Sequence, residues 1–258
     1  MSLFVSHGAP NLILHNSEAR SFLASYGRDL GAYRGILSVT AHFESPRPML
    51  TSHPQPPMIY DFGGFEPELR TIVYPAPGSP SLAQEAAAAL KAGGFDAGLD
   101  ERRGYDHGTW VPLALLRPEA DIPVVQLSVS PNHDATWHYR LGQALKPLAD
   151  SVVLIIGSGA ATHNLHEFFR GGYQFDTPAP NWVRAFGDWL DEKATEGDIG
   201  ALLDWEHAGP FARENHPTPE HLLPFFVALG AAGERARGER IHSSQQYGVL
   251  MMDAYAFA

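Results

Sequence analysis

The chain has 258 residues, 44% of them hydrophobic and 18% charged, with a formal net charge of −11. A charged fraction of about 25% is usual, so this is a compact globular composition with a modestly charged surface; the acidic balance, with no basic cluster, excludes nucleic acid and anionic membrane as general partners. There is no cysteine, which removes disulfides, cysteine-based zinc or iron–sulfur sites and thiol catalysis. The opening residues, Met1 to His7, have neither a basic n-region nor the apolar run of a signal peptide. No stretch approaches the roughly 18 apolar residues of a membrane helix. A cytoplasmic protein is expected.

The first element is a short apolar strand, Leu3–Ser6, and a second follows at Ile36–Thr40. The Pro/Gly-rich stretch from Ser45 to Pro80 reads as one long irregular loop, and loops of that length in compact domains are usually functional. A helix runs from Pro80 to Lys91, with Ser79 as N-cap, Pro80 at the first helical position and Gly93-Gly94 as the stop. Then come a strand at Pro123–Ser128, a helix at Trp137–Leu148, a strand at Ser151–Ile156 and a helix at Asn181–Ala194, whose acid-rich second half reads as a solvated face. A last helix is expected to open at Thr218 as N-cap, with His221 in its first turn, and to close at Gly230. Strands alternating with helices predict an α/β fold, with helices on both faces of the sheet. No repeat or linker divides the chain, so residues 1–258 are read as a single domain.

Thirteen histidines are many for this length. His7 and His42 end the first two strands, and His163 follows Val-Val-Leu-Ile-Ile-Gly-Ser-Gly-Ala-Ala-Thr. Ligands of open α/β sheets bind at the carboxyl ends of strands, where loops converge. His221, at a helix's positive end, is biased toward the neutral, ligand-competent form. For any one of these histidines a plain loop hydrogen bond explains the position as well as a metal does. The four together, all at element ends, favour a shared site. Spacing alone stays weak, since there is no HExxH and no H-x-H. The one H-x-E, His42-Phe43-Glu44, lacks the cysteines a zinc deaminase needs. His15, His53, His133, His138, His166, His207, His216 and His242 read as surface or hydrogen-bonding residues, with a substrate contact the lesser reading for His216.

The flanking residues carry more. In order they are Ser6-His7-Gly8-Ala9-Pro10, Thr40-Ala41-His42-Phe43-Glu44, Tyr60-Asp61-Phe62-Gly63-Gly64-Phe65, Tyr74-Pro75-Ala76-Pro77-Gly78-Ser79-Pro80, Asp106-His107-Gly108-Thr109-Trp110, Thr162-His163-Asn164-Leu165 and Pro217-Thr218-Pro219-Glu220-His221. The set resembles the DODA-type extradiol aromatic ring-opening dioxygenases, the 4,5-DOPA dioxygenase branch of the class III, LigB-like superfamily. The resemblance extends from His7 to a terminal strand at Tyr247-Gly248-Val249-Leu250. It implies a single domain with a central mixed, mostly parallel sheet. It also implies one mononuclear non-haem metal per chain, Fe(II) for ring cleavage with Zn(II) often found in its place. O₂ is the implied co-substrate and a small, DOPA-like catechol the implied substrate, opened to a semialdehyde.

By residue match, His7, His42 and His221 correspond to the metal ligands. His163 corresponds to the acid–base histidine, which some members count among the ligands. His107 matches a second active-site histidine that touches substrate. Better-known members of the superfamily use two histidines and a carboxylate. Here the third position is His221 with Glu220 beside it, and an all-histidine set suits Zn²⁺ as well as Fe²⁺. Tyr60 and Phe65 are candidate substrate-binding residues from the aromatic loop, with Trp110 either pocket or core. Asp106 joins them through its neighbour His107, which it would orient unless it caps a turn. Two rival functions use the same residues: a zinc hydrolase, and a non-catalytic scaffold. The scaffold predicts loss of the acid–base histidines, and both His107 and His163 are present. A monomer or small homo-oligomer is expected.

Overall fold

The structure is a computed structural model and describes residues 1–258. In chain order the strands are β1 (Ser2–Ser6), β2 (Gly35–Glu44), β3 (Met49–Thr51), β4 (Gly98–Asp100), β5 (Val124–Val129), β6 (Val153–Gly159), β7 (Gly238–His242), β8 (Gln245–Gln246), β9 (Leu250–Met251) and β10 (Ala254–Phe257). The helices are α1 (Glu18–Asp29), α2 (Pro80–Ala92), α3 (His107–Leu116), α4 (Ala135–Asp150), α5 (Leu165–Arg170), α6 (Asn181–Glu196), α7 (Ile199–Leu203), α8 (Trp205–Ala208), α9 (Ala212–Asn215) and α10 (Leu223–Ala232). Eight strands form one sheet in the order β4-β3-β5-β2-β6-β1-β10-β7, and β8 pairs with β9 in a separate ribbon.

The four apolar runs of the sequence become the centre of this sheet. β5, β2, β6 and β1 are mutually parallel. β1, β5 and β6 are buried at every position, as strands covered on both faces must be. Antiparallel pairs flank this centre: β3 on β5, and β10 between β1 and β7. The sheet is therefore mixed and mostly parallel, with the expected helical layers.

The end of β6 shows how the two layers are placed. Alternate side chains leave opposite faces of a strand. A Cβ on Gly157 would meet the Pro224 backbone oxygen at 2.2 Å, and one on Gly159 would meet that of His221 at 2.0 Å. Only glycine lets the His221–α10 segment lie this close. Ser158, between them, faces the other layer and donates its hydroxyl to Gly108 O of α3. α10 has nine of its ten residues buried and packs on α4, β6 and β1.

Three expectations are corrected. α10 does not open at Thr218: it begins at Leu223, and His221 lies in the turn before it. Leu222 N–H and Leu223 N–H both bond Pro219 O, closing a separate turn, and the operative start signal is Pro224 in the helix's first turn. Thr218 Oγ1 donates to Glu220 Oε1 at 3.1 Å rather than capping. The terminal strand expected at Tyr247–Leu250 is instead a turn with Tyr247 at φ 52°, followed by β9; the strand that joins the main sheet is β10. The Ser45–Pro80 stretch hides β3 and a 3-10 turn, Pro67–Thr71.

Candidate metal centre and active site

β2, β6 and β1 lie side by side and parallel, so their carboxyl ends open at one rim. His7 follows β1 directly, and its N–H bonds Gly159 O at the end of β6, 3.0 Å away. His42 lies near the end of β2, beyond Thr40, where the register with β5 breaks. His221 is brought to the same rim by the turn before α10, its carbonyl accepting from Ala160 N–H at 2.9 Å. His42 Nε2 is 3.2 Å from His7 Nε2 and 3.3 Å from His221 Nε2.

Hydrogen bonding alone cannot satisfy that meeting, because each ring nitrogen has either one proton or one lone pair. A shared ion can. Three imidazoles bound at ~2.0–2.1 Å around a tetrahedral ion put their nitrogens about 3.3–3.4 Å apart.

The opposite nitrogens show which tautomer each ring holds. His7 Nδ1 is 3.0 Å from Ser158 Oγ, whose own proton goes to Gly108 O. Ser158 can therefore only accept, His7 Nδ1 carries the proton, and Nε2 keeps its lone pair. The reason Gly108 O is free lies in the sequence. Pro112 sits inside α3 and has no N–H to give to the carbonyl four residues earlier. His221 Nδ1 is 2.9 Å from Glu220 Oε1, and His42 Nδ1 lies 3.4 Å from Asp61 Oδ2. Each of the three rings thus has an oxygen behind it, the outer support that orients metal-binding histidines. Burial, joined by the neighbouring imidazoles, holds the pKa of His7, His42 and His221 well below 6.5. All three are neutral at pH 7, as ligands must be.

His107 opens α3. Its Nδ1 is 2.8 Å from Asp61 Oδ1, which also accepts the His107 backbone N–H at 3.1 Å. Asp61 therefore bridges His107 and His42. Burial would raise its pKa, but the His107 hydrogen bond and the two imidazoles prevail and hold it at about 2. His163, in the loop after β6, stacks on His221 with centroids 3.4 Å apart and planes 12° apart. Its pKa falls to about 3, through burial first and then the nearby His216 and His107. Ligand atoms also come within 4.8 Å of one another in two separate trios, His7–His42–His107 and His163–Glu220–His221. The Nε2 contacts of His42 with His7 and His221 join the two trios. In the second trio Glu220 Oε1 is already taken by His221 and Thr218.

These histidines floor a cleft of about 250 Å³, near the lower end of small-molecule sites (~300–1,000 Å³). Its walls are Phe62 and Phe65 from the aromatic loop, Leu165, Phe168 and Phe169 from α5, and Leu250. Phe65 thus faces the cleft as expected, but three other candidates do not. Tyr60 is turned away, its hydroxyl donating to Ile72 O at 2.8 Å while the ring packs on Trp110. Trp110 is fully buried core. Asp106 is also fully buried. It N-caps α3 through Thr109 N–H at 3.2 Å and accepts from Thr40 Oγ1 at 2.8 Å and Arg103 Nη2 at 3.0 Å. It serves the site from behind. Thr40 Oγ1 accepts His42 N–H and Arg103 donates to His42 O, so this buried cluster holds the His42 backbone from both sides.

Of the remaining histidines, His216 bonds Ala161 O behind the cleft and His138 is satisfied by Ser130 and Asp134. The residues that sequence reasoning left off the site are Asp61, Ser158 and the α5 aromatics. The signals were slight: an acid inside Tyr-Asp-Phe-Gly-Gly-Phe, a serine between two glycines, and adjacent phenylalanines in a polar stretch.

The family described as the catalytic LigB subunit of aromatic ring-opening dioxygenase matches residues 16–258. The chain is 41% identical to 4,5-DOPA dioxygenase extradiol of Beta vulgaris, over 99% of this chain and 96% of the relative. It is 36% identical to the Escherichia coli K12 protein of that name, over 89% and 84% of the two chains. A crystal structure of an uncharacterised Escherichia coli K12 protein superposes with a TM-score of 0.80 at 30% identity, covering 98% of both chains.

Proposed function

The chain belongs to the LigB family of aromatic ring-opening dioxygenases, and on that premise we propose that it opens a small catechol by extradiol cleavage at an ion held by His7, His42 and His221. The whole of residues 1–258 forms the catalytic domain. The observation that carries the assignment is the meeting of three neutral Nε2 atoms at the floor of an aromatic cleft. Fe(II) is the ion for the reaction, and Zn(II) fits the same donors. Bound there, Fe(II) supplies Lewis acidity toward the two catechol oxygens and an electron path between the catechol and O₂. Three protein ligands gathered at one rim leave the cleft side open to both reactants.

The chain's own residues do the rest. His163, neutral at pH 7, accepts a proton from a catechol hydroxyl and returns it as the ring opens. His107 presents Nε2 to the oxygens in the cleft, because Asp61 holds its Nδ1 proton. Phe62, Phe65 and Phe168 bury the ring and exclude water. One ring C–C bond breaks and both atoms of O₂ enter the product, one in the aldehyde and one in the carboxylate. The reaction consumes no external reductant. Residence in the cytoplasm as a monomer or small homo-oligomer completes the reading; no helix is long and apolar enough to cross a membrane.

The test is anaerobic loading with Fe(II), then catechol and O₂. The expected result is a yellow semialdehyde with one O₂ consumed per ring opened. Zinc-loaded protein should give no product. Ester or amide hydrolysis by the zinc form, with no O₂ uptake by the iron form, would overturn the assignment.

A further inference from the structure

We propose that the catechol taken by this site carries an uncharged, apolar substituent, seated among Phe62, Phe65, Leu165, Phe168 and Phe169; this rests on the ring-opening reading above. The relatives are named for DOPA, whose side chain holds an ammonium and a carboxylate, yet beside its aromatic wall this cleft has no charged side chain free to pair with either. Its lining contains no lysine, arginine, serine, threonine, asparagine, glutamine or tyrosine. Its polar side chains are five histidines and Asp61, and both oxygens of Asp61 are engaged by His107 and His42.

Charged side chains adjoining the aromatic wall each already have a partner. Arg70 lies over the Phe62 ring, 5.6 Å from its centroid, with Nη2 donating to Phe62 O. Arg170 turns to His166 Nε2 at 3.2 Å. Glu66, next to Phe65, is 2.7 Å from His15 Nε2 and also accepts from Asn11. A zwitterionic substituent would therefore lose hydration without gaining a partner, which is costly.

α5 makes the complementary argument. It has no buried residue, yet Leu165, Phe168 and Phe169 line the cleft while His166, Glu167 and Arg170 do not. Leu165 and Phe169 remain 52% and 67% exposed. An apolar group rising from the ring would cover them and take their apolar surface out of water.

The experiment uses Fe(II)-loaded enzyme with catechol, 4-methylcatechol, 4-ethylcatechol, 3,4-dihydroxyphenylacetate and DOPA. It measures kcat/KM under O₂ and Kd by calorimetry without O₂. The proposal expects both to improve about two- to fourfold per added methylene, with the two charged catechols ~10-fold or more below 4-ethylcatechol. Leu165→Arg, at a half-exposed position that tolerates charge, should shift the ratio toward 3,4-dihydroxyphenylacetate by about two- to fivefold. DOPA preferred over 4-ethylcatechol in both measurements would overturn the proposal and leave the reaction standing. No ring opening with any catechol would overturn the reaction, while the calorimetric order would still decide the character of the pocket.

Discussion

Ser158→Ala removes the acceptor behind His7 and the donor to Gly108 O in one step. Each group left buried without a partner costs about 1–3 kcal/mol, so with two such groups the metal-free protein should lose about 2–6 kcal/mol in urea unfolding. The loss of an oxygen behind a ligating histidine typically lowers metal affinity about 10–100-fold. A zinc titration against a chromophoric chelator reads that second effect separately. Pro112→Ala separates the two further, because it returns an N–H to the helix where Gly108 O stands. In the wild type that N–H competes with Ser158; in Ser158→Ala it replaces the missing donor. The double-mutant cycle should show Pro112→Ala to be less costly, by about 1 kcal/mol, when Ser158 is already gone. Zinc affinity should not recover with stability, since His7 Nδ1 still lacks its acceptor. Wild-type zinc affinity in Ser158→Ala, or strict additivity in the cycle, would refute the chain of reasoning from Pro112 to His7.

Four further outcomes are expected. His42→Ala should lose most of the bound ion. His107→Ala should keep it and lower kcat or raise KM; equal metal loss in the two, measured by elemental analysis, would make His107 a ligand. His163→Gln should keep its metal and lose about 10²–10⁴-fold in kcat; loss of metal in parallel with activity would place His163 on the ion. Acid should destabilise the fold through its buried histidines. Burial brings His138 and His216 down to about 4, so unfolded chains take up protons below about pH 6.5 that the folded protein refuses. Stability from these groups is complete above pH 6.5 and falls by about 1.4 kcal/mol per pH unit for each between there and pH 4. Urea titrations of wild type and His138→Gln at pH 7.5, 6 and 5 check this; equal slopes would sink it.

The strands and the histidines that end them were legible because an apolar run stopping at His is a local pattern. The sequence motifs likewise pointed to His107, His163 and His221. What local reading missed belongs to the partner, not the residue. Asp61 reads as a turn residue until two histidines from other elements arrive at its oxygens. Ser158 reads as loop polarity until Pro112, far away in the chain, frees a carbonyl for it. Asp106 was misplaced for the opposite reason. Adjacency to His107 suggested a shared direction, but an N-cap turns its side chain back onto the helix end. Tyr60 and Phe62 sit close together in one loop, and only packing decides which faces the cleft. His221 is reached by a turn whose Thr-Pro-Glu imitates a helix start.

The position of β10 carries a consequence for how the molecule comes into being. Val5 pairs with Ala254, and the N–H of Ser6, next to His7, bonds Asp253 O at 3.1 Å. On the ribosome, the strand that leads to His7 therefore precedes its antiparallel partner by nearly the length of the domain. Until Ala254–Phe257 emerge, Leu3-Phe4-Val5 presents an apolar edge with unpaired backbone groups, the kind of surface that recruits another chain. Pairings so distant in sequence form slowly, so nascent protein spends its vulnerable interval with this edge open. His221 too is made late. Loading of the ion thus cannot precede the emergence of His221, and the sheet beside His7 closes later still, with β10.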